Sequence, residues 1–239
     1  MKYRDIIENA LNGHGADYCE IRIEETDNSR LTYRGKSLDT IAQTSGLGGN
    51  VRAVTKGGWG FASFNSLDEL TTKVADAVAQ SKAVGGLKTE LGEVEPHVDL
   101  VPAYVVEDPT EISLDEKKRQ MDHYNDLVWS VDGINSADII YGDTSRKTFF
   151  GSSDGSYIEQ QQIHVISRIS AQARSGGDVQ QAGFSLGSQG DYGLIRGLDD
   201  KVTDAAKRAV ALLDAKSLEG GERTVVLDPV LAGVFVHEA

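Results

Sequence analysis

Cysteine is almost missing from this sequence. Cys19 is the only one, so no disulfide can form within the chain. That fits a reducing compartment and makes the cytoplasm the expected location. No apolar run is long enough to span a bilayer, and the N-terminus has no signal-peptide core, so a membrane is not an expected partner. Proline is scarce. Three of the four, Pro96, Pro102 and Pro109, fall in one stretch, residues 85–112, which also holds Glu90, Glu93 and Glu95. That stretch reads as an extended linker or surface excursion. Positive charge is short as well, with 24 Lys and Arg against 37 Asp and Glu and a formal net charge of −13. Such a chain repels phosphate backbones. Its basic residues come singly and make no stripe along the sequence, so direct nucleic-acid binding is not expected.

What is present is an ordinary globular composition, 39% hydrophobic, on a chain long enough for a core. Residues 3–11 read as a short amphipathic helix with Ile6, Ile7 and Leu11 on one face. The period then changes to two. Residues 16–25 alternate, with Cys19, Ile21 and Ile23 inward, which makes Cys19 a buried strand thiol and not a nucleophile. Residues 31–34, 37–43, 50–55 and 59–64 are further strands, with Gly35-Lys36 and Gly46-Leu47-Gly48-Gly49 as turns. Ser66-Leu67-Asp68-Glu69 is a capping box that opens a helix to about residue 84. A second box, Ser113-Leu114-Asp115-Glu116, opens a helix to about residue 131, with Leu114, Met121, Tyr124 or Asn125, and Val128 inward.

Strands resume at 136–143 and 145–151. Ser153-Asp154-Gly155 is a hairpin signal, and a long strand follows over 157–173. Its alternation breaks near Gln162-Ile163, which suggests a bulge. Residues 179–186 form another strand. Asp199 or Asp200 caps a third helix, with Val202, Ala205, Ala206, Ala209, Leu212 and Leu213 inward. The expected fold class is α+β, with mostly antiparallel sheets and flanking helices. Units at 1–84 and 113–239 flank the excursion. The two halves share a pattern of helix, strands and alanine-rich helix, which makes an internal duplication possible.

Gly183-Phe184-Ser185-Leu186-Gly187 matches the Gly-x-Ser-x-Gly serine-hydrolase pattern. The helix that a nucleophile elbow needs directly after it is replaced by Gly187-Ser188-Gln189-Gly190. Gly46-Leu47-Gly48-Gly49 lacks the spacing of a dinucleotide loop. His14, His97, His123 and His164 show no metal-ligand spacing.

The last stretch, residues 222–239, is the most informative. Residues 224–227 read as a buried strand. Asp228 is a good N-cap and Pro229 a good first helical residue, so an apolar helix should follow. His237 and Glu238 sit side by side on it. The helix has no C-cap, which implies a fragment or a reading frame that continues. His-Glu on an apolar helix is the opening half of a zinc hydrolase motif, in which His binds the metal and Glu takes a proton from water.

Several stretches together resemble the TldD/PmbA family, long labelled modulators of DNA gyrase and understood as metal-dependent peptidases. They are Gly49-Asn50-Val51-Arg52-Ala53, Gly58-Trp59-Gly60-Phe61-Ala62-Ser63, Phe149-Phe150-Gly151-Ser152-Ser153-Asp154-Gly155, and Val225-Val226-Leu227-Asp228-Pro229 running to His237-Glu238-Ala239. The resemblance implies a His-Glu-x-x-x-His helix with a further cysteine ligand. His237 would be the first zinc ligand and Glu238 the general base. The second His and the ligand cysteine have no counterpart here, and Cys19 does not match. The resemblance therefore implies the N-terminal domain of a TldD-type subunit, inactive as the isolated chain. It also implies a peptide or unfolded-protein substrate and a homodimer or a heterodimer with a PmbA-type paralogue. The alternative from another class is a non-enzymatic peptide-binding or subunit-assembly module.

Overall fold

The computed structural model describes every residue except Gly85, Leu87, Lys88 and Ser217; the first three belong to the expected excursion. Helix α1 (Arg4–Leu11) leads into strands β1 (Tyr18–Arg34), β2 (Ser37–Thr55) and β3 (Gly58–Phe64), and then helix α2 (Leu70–Val84). The short β4 (Val98–Val101) follows. Helix α3 (Leu114–Trp129) precedes β5 (Ile134–Ser152), β6 (Tyr157–Ser175) and β7 (Asp178–Gln189), and α4 (Asp199–Ala211) closes the group. Helix α5 (Pro229–Glu238) is last.

The seven strands form one sheet in the order β3-β2-β1-β5-β6-β4, with β7 also paired to β6. All neighbours are antiparallel except β4, which runs parallel to β6. The fold is α+β, as the alternating and helical periods predict. Each half is a helix, a three-stranded meander and a helix, and the halves meet where β1 pairs β5 in antiparallel register from Glu20↔Ser152 to Arg34↔Asp138.

Helices α1 to α4 lie on one face. Cys19, Ile21, Ile23, Leu31 and Tyr33 of β1 point to that face and are buried, as do Ala137, Ile139, Tyr141 and Phe149 of β5. One core cluster sits under α1 and α2, with Ile7, Val74 and Ala77 against Ile21, Val51 and Phe64. The other sits under α3 and α4, with Met121, Tyr124, Val202 and Ala206 against Leu31, Ile139 and Ile169. The long strands run through both. Among the described residues no helix packs on the opposite face of the sheet.

Several expectations give way. The separate strands at 16–25 and 31–34 are one strand, and so are 37–43 with 50–55. Gly46-Leu47-Gly48-Gly49 is not a turn; it pairs with Thr26, Glu25, Glu24 and Ile23 inside β2. A Cβ on Gly49 would collide with the Phe64 ring and the Arg22 carbonyl, so the glycine is there for close packing. The register between β5 and β6 is continuous through Gln162-Ile163, and its only shift lies at Ile134/Ser136. The alternation is strict because Ile158 and Ile166 belong to the other face.

Ile6 is 43% exposed, and Ala10 takes its place in the core. The first turn after Ser66 is a 3-10 turn, in which the Ser66 hydroxyl accepts from the Asp68 N–H and no reciprocal box forms. The Ser113 cap holds, its hydroxyl accepting from Glu116 N–H at 3.2 Å. Asp199 is the first residue of α4, not its cap; its carboxylate instead meets His123 Nε2 at 2.6 Å. Residues 224–227 are irregular and exposed, with Val226 at 99%. A strand needs a neighbour to pair with, and this segment has none among the described residues. No helix among them is long and apolar enough to cross a membrane.

Candidate metal site

Helix α5 starts where its local chemistry dictates. Asp228 is extended, its carboxylate accepts the Val230 N–H at 2.9 Å, and Pro229 occupies the first turn. The helix carries His237 and Glu238 in its last turn, where both side chains are exposed. Neither makes a hydrogen bond or ion pair among the described residues. Consecutive positions on a helix point about 100° apart, so the two cannot grip one small ion between them without other groups.

The surroundings of this pair are apolar and uncovered. Val230 is 77% exposed and Phe235 62%, and no residue of α5 is buried. Burying one such side chain is worth roughly 1.5–3 kcal/mol. Helix α5 gains none of it here, and a cap of about 1 kcal/mol is its main local support.

Among the described residues no three His, Cys, Asp or Glu side chains come together as a metal ion needs. Among the described residues His237 and Glu238 have no further donor beside them, and such a set does not fit a closed zinc site. Cys19, which the resemblance also left out, is wholly buried under α1 and α2. Burial raises its thiol to about 11, with the Glu20 carboxylate adding to the effect.

The other sequence candidates fall into place as structure. Ser185 lies in mid-strand on β7 opposite Arg168. It is not at a strand-to-helix elbow, so it cannot be presented as a nucleophile. His123 bonds Asp199, and His164 stands on the open face of the sheet.

Sequence reasoning missed one polar cluster. Lys117 is buried on α3, its Nζ beside the Asp143 carboxylate and the Ser29 hydroxyl. The signal was available, because Lys117 occupies the same helical spacing as Leu114, Met121, Tyr124 and Val128. A polar groove of about 410 Å³ opens beside it, reaching Asp27, Ser45, Ser145 and Gln161 in the gap between the two core clusters.

Comparison with known proteins gives these features a setting. The sequence profile of PmbA/TldA metallopeptidase domain 1 matches residues 19–84, and that of the PmbA/TldA metallopeptidase central domain matches residues 107–213. A metalloprotease of Synechocystis sp. is 35% identical over 226 residues, covering 94% of this chain and 49% of that protein. A zinc metalloprotease TldD homolog of Saccharolobus solfataricus is 21% identical over 234 residues, covering 94% of this chain and 49% of its own length. The crystal structure of a proposed modulator of DNA gyrase from Bacteroides thetaiotaomicron superposes with a TM-score of 0.82 at 17% identity, covering 99% of this chain and 56% of that one. The chain thus spans about half the length of the curated relatives it matches. Two adjacent domain profiles in family order, together with the shared fold, place it: this chain belongs to the PmbA/TldD metallopeptidase family.

Proposed function

We propose that this chain serves as the N-terminal half of a TldD-type zinc peptidase that cleaves peptides or unfolded protein segments. His237 is one metal ligand and Glu238 the general base. The observation that carries the reading is the helix itself. In a metallopeptidase-family chain, it presents a His-Glu pair at the exposed end of an apolar helix that nothing among the described residues covers. The remaining ligands come from outside these residues. Zinc, when bound, supplies the Lewis acid that polarises the scissile carbonyl. Glu238 takes the proton of the attacking water and returns it to the leaving amine. The lone reduced Cys19 supports a cytoplasmic setting.

The test uses the full-length protein. Glu238→Gln is expected to retain the metal and to lose hydrolysis of an unfolded peptide by roughly 10²-fold or more, the contribution of a positioned base. Undiminished turnover removes Glu238 from the mechanism.

A second reading has its own observation. Val230, Val234 and Phe235 form an uncovered apolar surface, as a subunit-assembly element would. The two readings are compatible, because a covered α5 is also what would complete the site. In this proposal the working unit is a dimer, either of one chain type or with a PmbA-type paralogue.

A further inference from the structure

The arginines that come singly along the sequence converge in space. Arg22, Arg30 and Arg34 of β1, Arg52 of β2, Arg146 of β5 and Arg168 of β6 share the alternation that points away from the helices. All six are exposed. Set against Glu20, Glu24 and Asp138 on the same alternation, they leave the open face with more positive than negative side chains, in a chain whose formal net charge is −13. Arg52 pairs with Glu20, Arg146 with Glu24 and Arg34 with Asp39. Arg22, Arg30 and Arg168 have no acidic partner among the described residues.

One of the unpaired arginines, Arg30, lines a depression, and Arg168 stands one row along from it. Across five strands the register aligns Ala42, Arg30, Gly142, Ile166 and Gly187. The next row aligns Thr40, Thr32, Ile140, Arg168 and Ser185. Small residues at Ala42 and Gly142 leave a hollow of about 360 Å³ floored by Ile140 and Ile166, with Arg30 and His164 on its walls. Ile166 is 55% exposed. Arg30 stands on β1 and Arg168 on β6, two strands away and one row along. With usual strand spacings their Cα atoms are roughly 12 Å apart, a span that an extended peptide covers in about four residues.

We propose that the open face of the sheet docks an acidic, extended polypeptide segment, with carboxylates on Arg30 and Arg168 and an apolar side chain between them in the hollow over Gly142. Guanidinium groups grip carboxylates with two parallel hydrogen bonds, and the Ile floor takes the intervening side chain. A nucleic acid suits the surface less well. No exposed aromatic ring stands in the hollow for a base to stack on. Trp59 and Phe61 lie at the far edge, with the Arg52 guanidinium 5.4 Å from the Trp59 ring centre. The net charge also opposes a ligand that is anionic at every step. This inference needs neither a metal nor α5, so it stands apart from the peptidase reading.

The experiment is fluorescence anisotropy on the 239-residue chain. The probes are a labelled peptide of about ten residues with three glutamates spaced by valine and serine, its glutamine counterpart, and single-stranded oligothymidine. The glutamate peptide is expected to bind at least about tenfold more tightly than the other two, and to weaken as salt is raised. The double variant Arg30→Gln, Arg168→Gln, which alters only exposed side chains, is expected to lose about tenfold with an unchanged melting temperature. Lys56→Gln, in the β2–β3 turn, is the control and leaves binding intact. Equal binding of the two peptides, an unaffected double variant, or tighter binding of the oligonucleotide overturns the proposal. So does a dimer, seen by sedimentation, that dissociates in the double variant, since the occupant would then be a second copy of the chain.

Discussion

The Nζ of Lys117 lies 2.7 Å from Oδ2 of Asp143, and both side chains are almost wholly buried, at 1% and 4% exposure. The Tyr141 hydroxyl donates to the same carboxylate oxygen at 2.7 Å. Burial raises the Tyr141 phenol far above its ordinary value, and the neighbouring Asp143 charge raises it further, so it stays a donor. The pair fastens α3 to β5 at the middle of the sheet. Each ion costs several kcal/mol to bury, and the partner, helped by the Tyr141 and Ser29 hydroxyls, offsets that cost.

Asp143→Ala should therefore destabilise the chain by about 3–5 kcal/mol, because it strands a buried ammonium. Lys118→Ala breaks an exposed pair with Asp122 on the same helix and should cost less than about 1 kcal/mol. Urea unfolding of both variants measures the contrast. Equal costs would mean that the buried pair does not hold α3 in place.

Gly60 is a point of backbone contact between β3 and α2. A Cβ there would fall inside the Ala77 carbonyl oxygen and lie 2.7 Å from the Ser81 nitrogen. Gly60→Ala should push α2 off the sheet and cost about 3 kcal/mol or more, at the upper end of overpacking. Gly177→Ala, where nothing lies within 4 Å, should be close to neutral. Thermal melts of the two variants make the comparison.

Cys19 should resist thiol reagents. At pH 8 the native chain is expected to react at least about 100-fold more slowly than the chain in guanidinium, because the thiol is both buried and largely protonated. The folded-state value near 11 lies above the ordinary 9.0. The unfolded chain therefore loses this proton first as pH rises. The stability from this group is complete below about pH 9, falls between pH 9 and 11, and is level beyond. Rapid native labelling at pH 8 would show that β1 opens locally.

Much of this was legible in the sequence, and the reasons differ by element. The strand thiol Cys19, the Ser113 cap and the Asp228-Pro229 start of α5 depend on neighbours along the chain, so local chemistry found them. Gly46-Leu47-Gly48-Gly49 misled because a glycine run looks like a turn whether it bends the chain or admits a ring such as that of Phe64. Residues 224–227 misled because β-branched residues favour a strand without supplying its partner. The arginine face was hidden for a different reason: residues far apart in sequence share a face only once strand register is known.

Zinc titrated into the 239-residue chain should show no stoichiometric binding at micromolar concentration, since catalytic zinc takes about three protein ligands. His237→Ala should leave the weak background unchanged. Calorimetry decides the matter. Stoichiometric micromolar binding that His237→Ala abolishes would mean that this chain holds the metal unaided.

The seam between β1 and β5 has a consequence for how the two meanders depend on one another. Take either away and the other is left with a bare edge, 17 residues long on β1 or 19 on β5. Neither edge strand contains a proline, and its backbone donors and acceptors would be free to recruit any passing strand. Each half thus shields the other from aggregation. A change that loosens the seam should reveal itself first as lost solubility, well before any loss of helix.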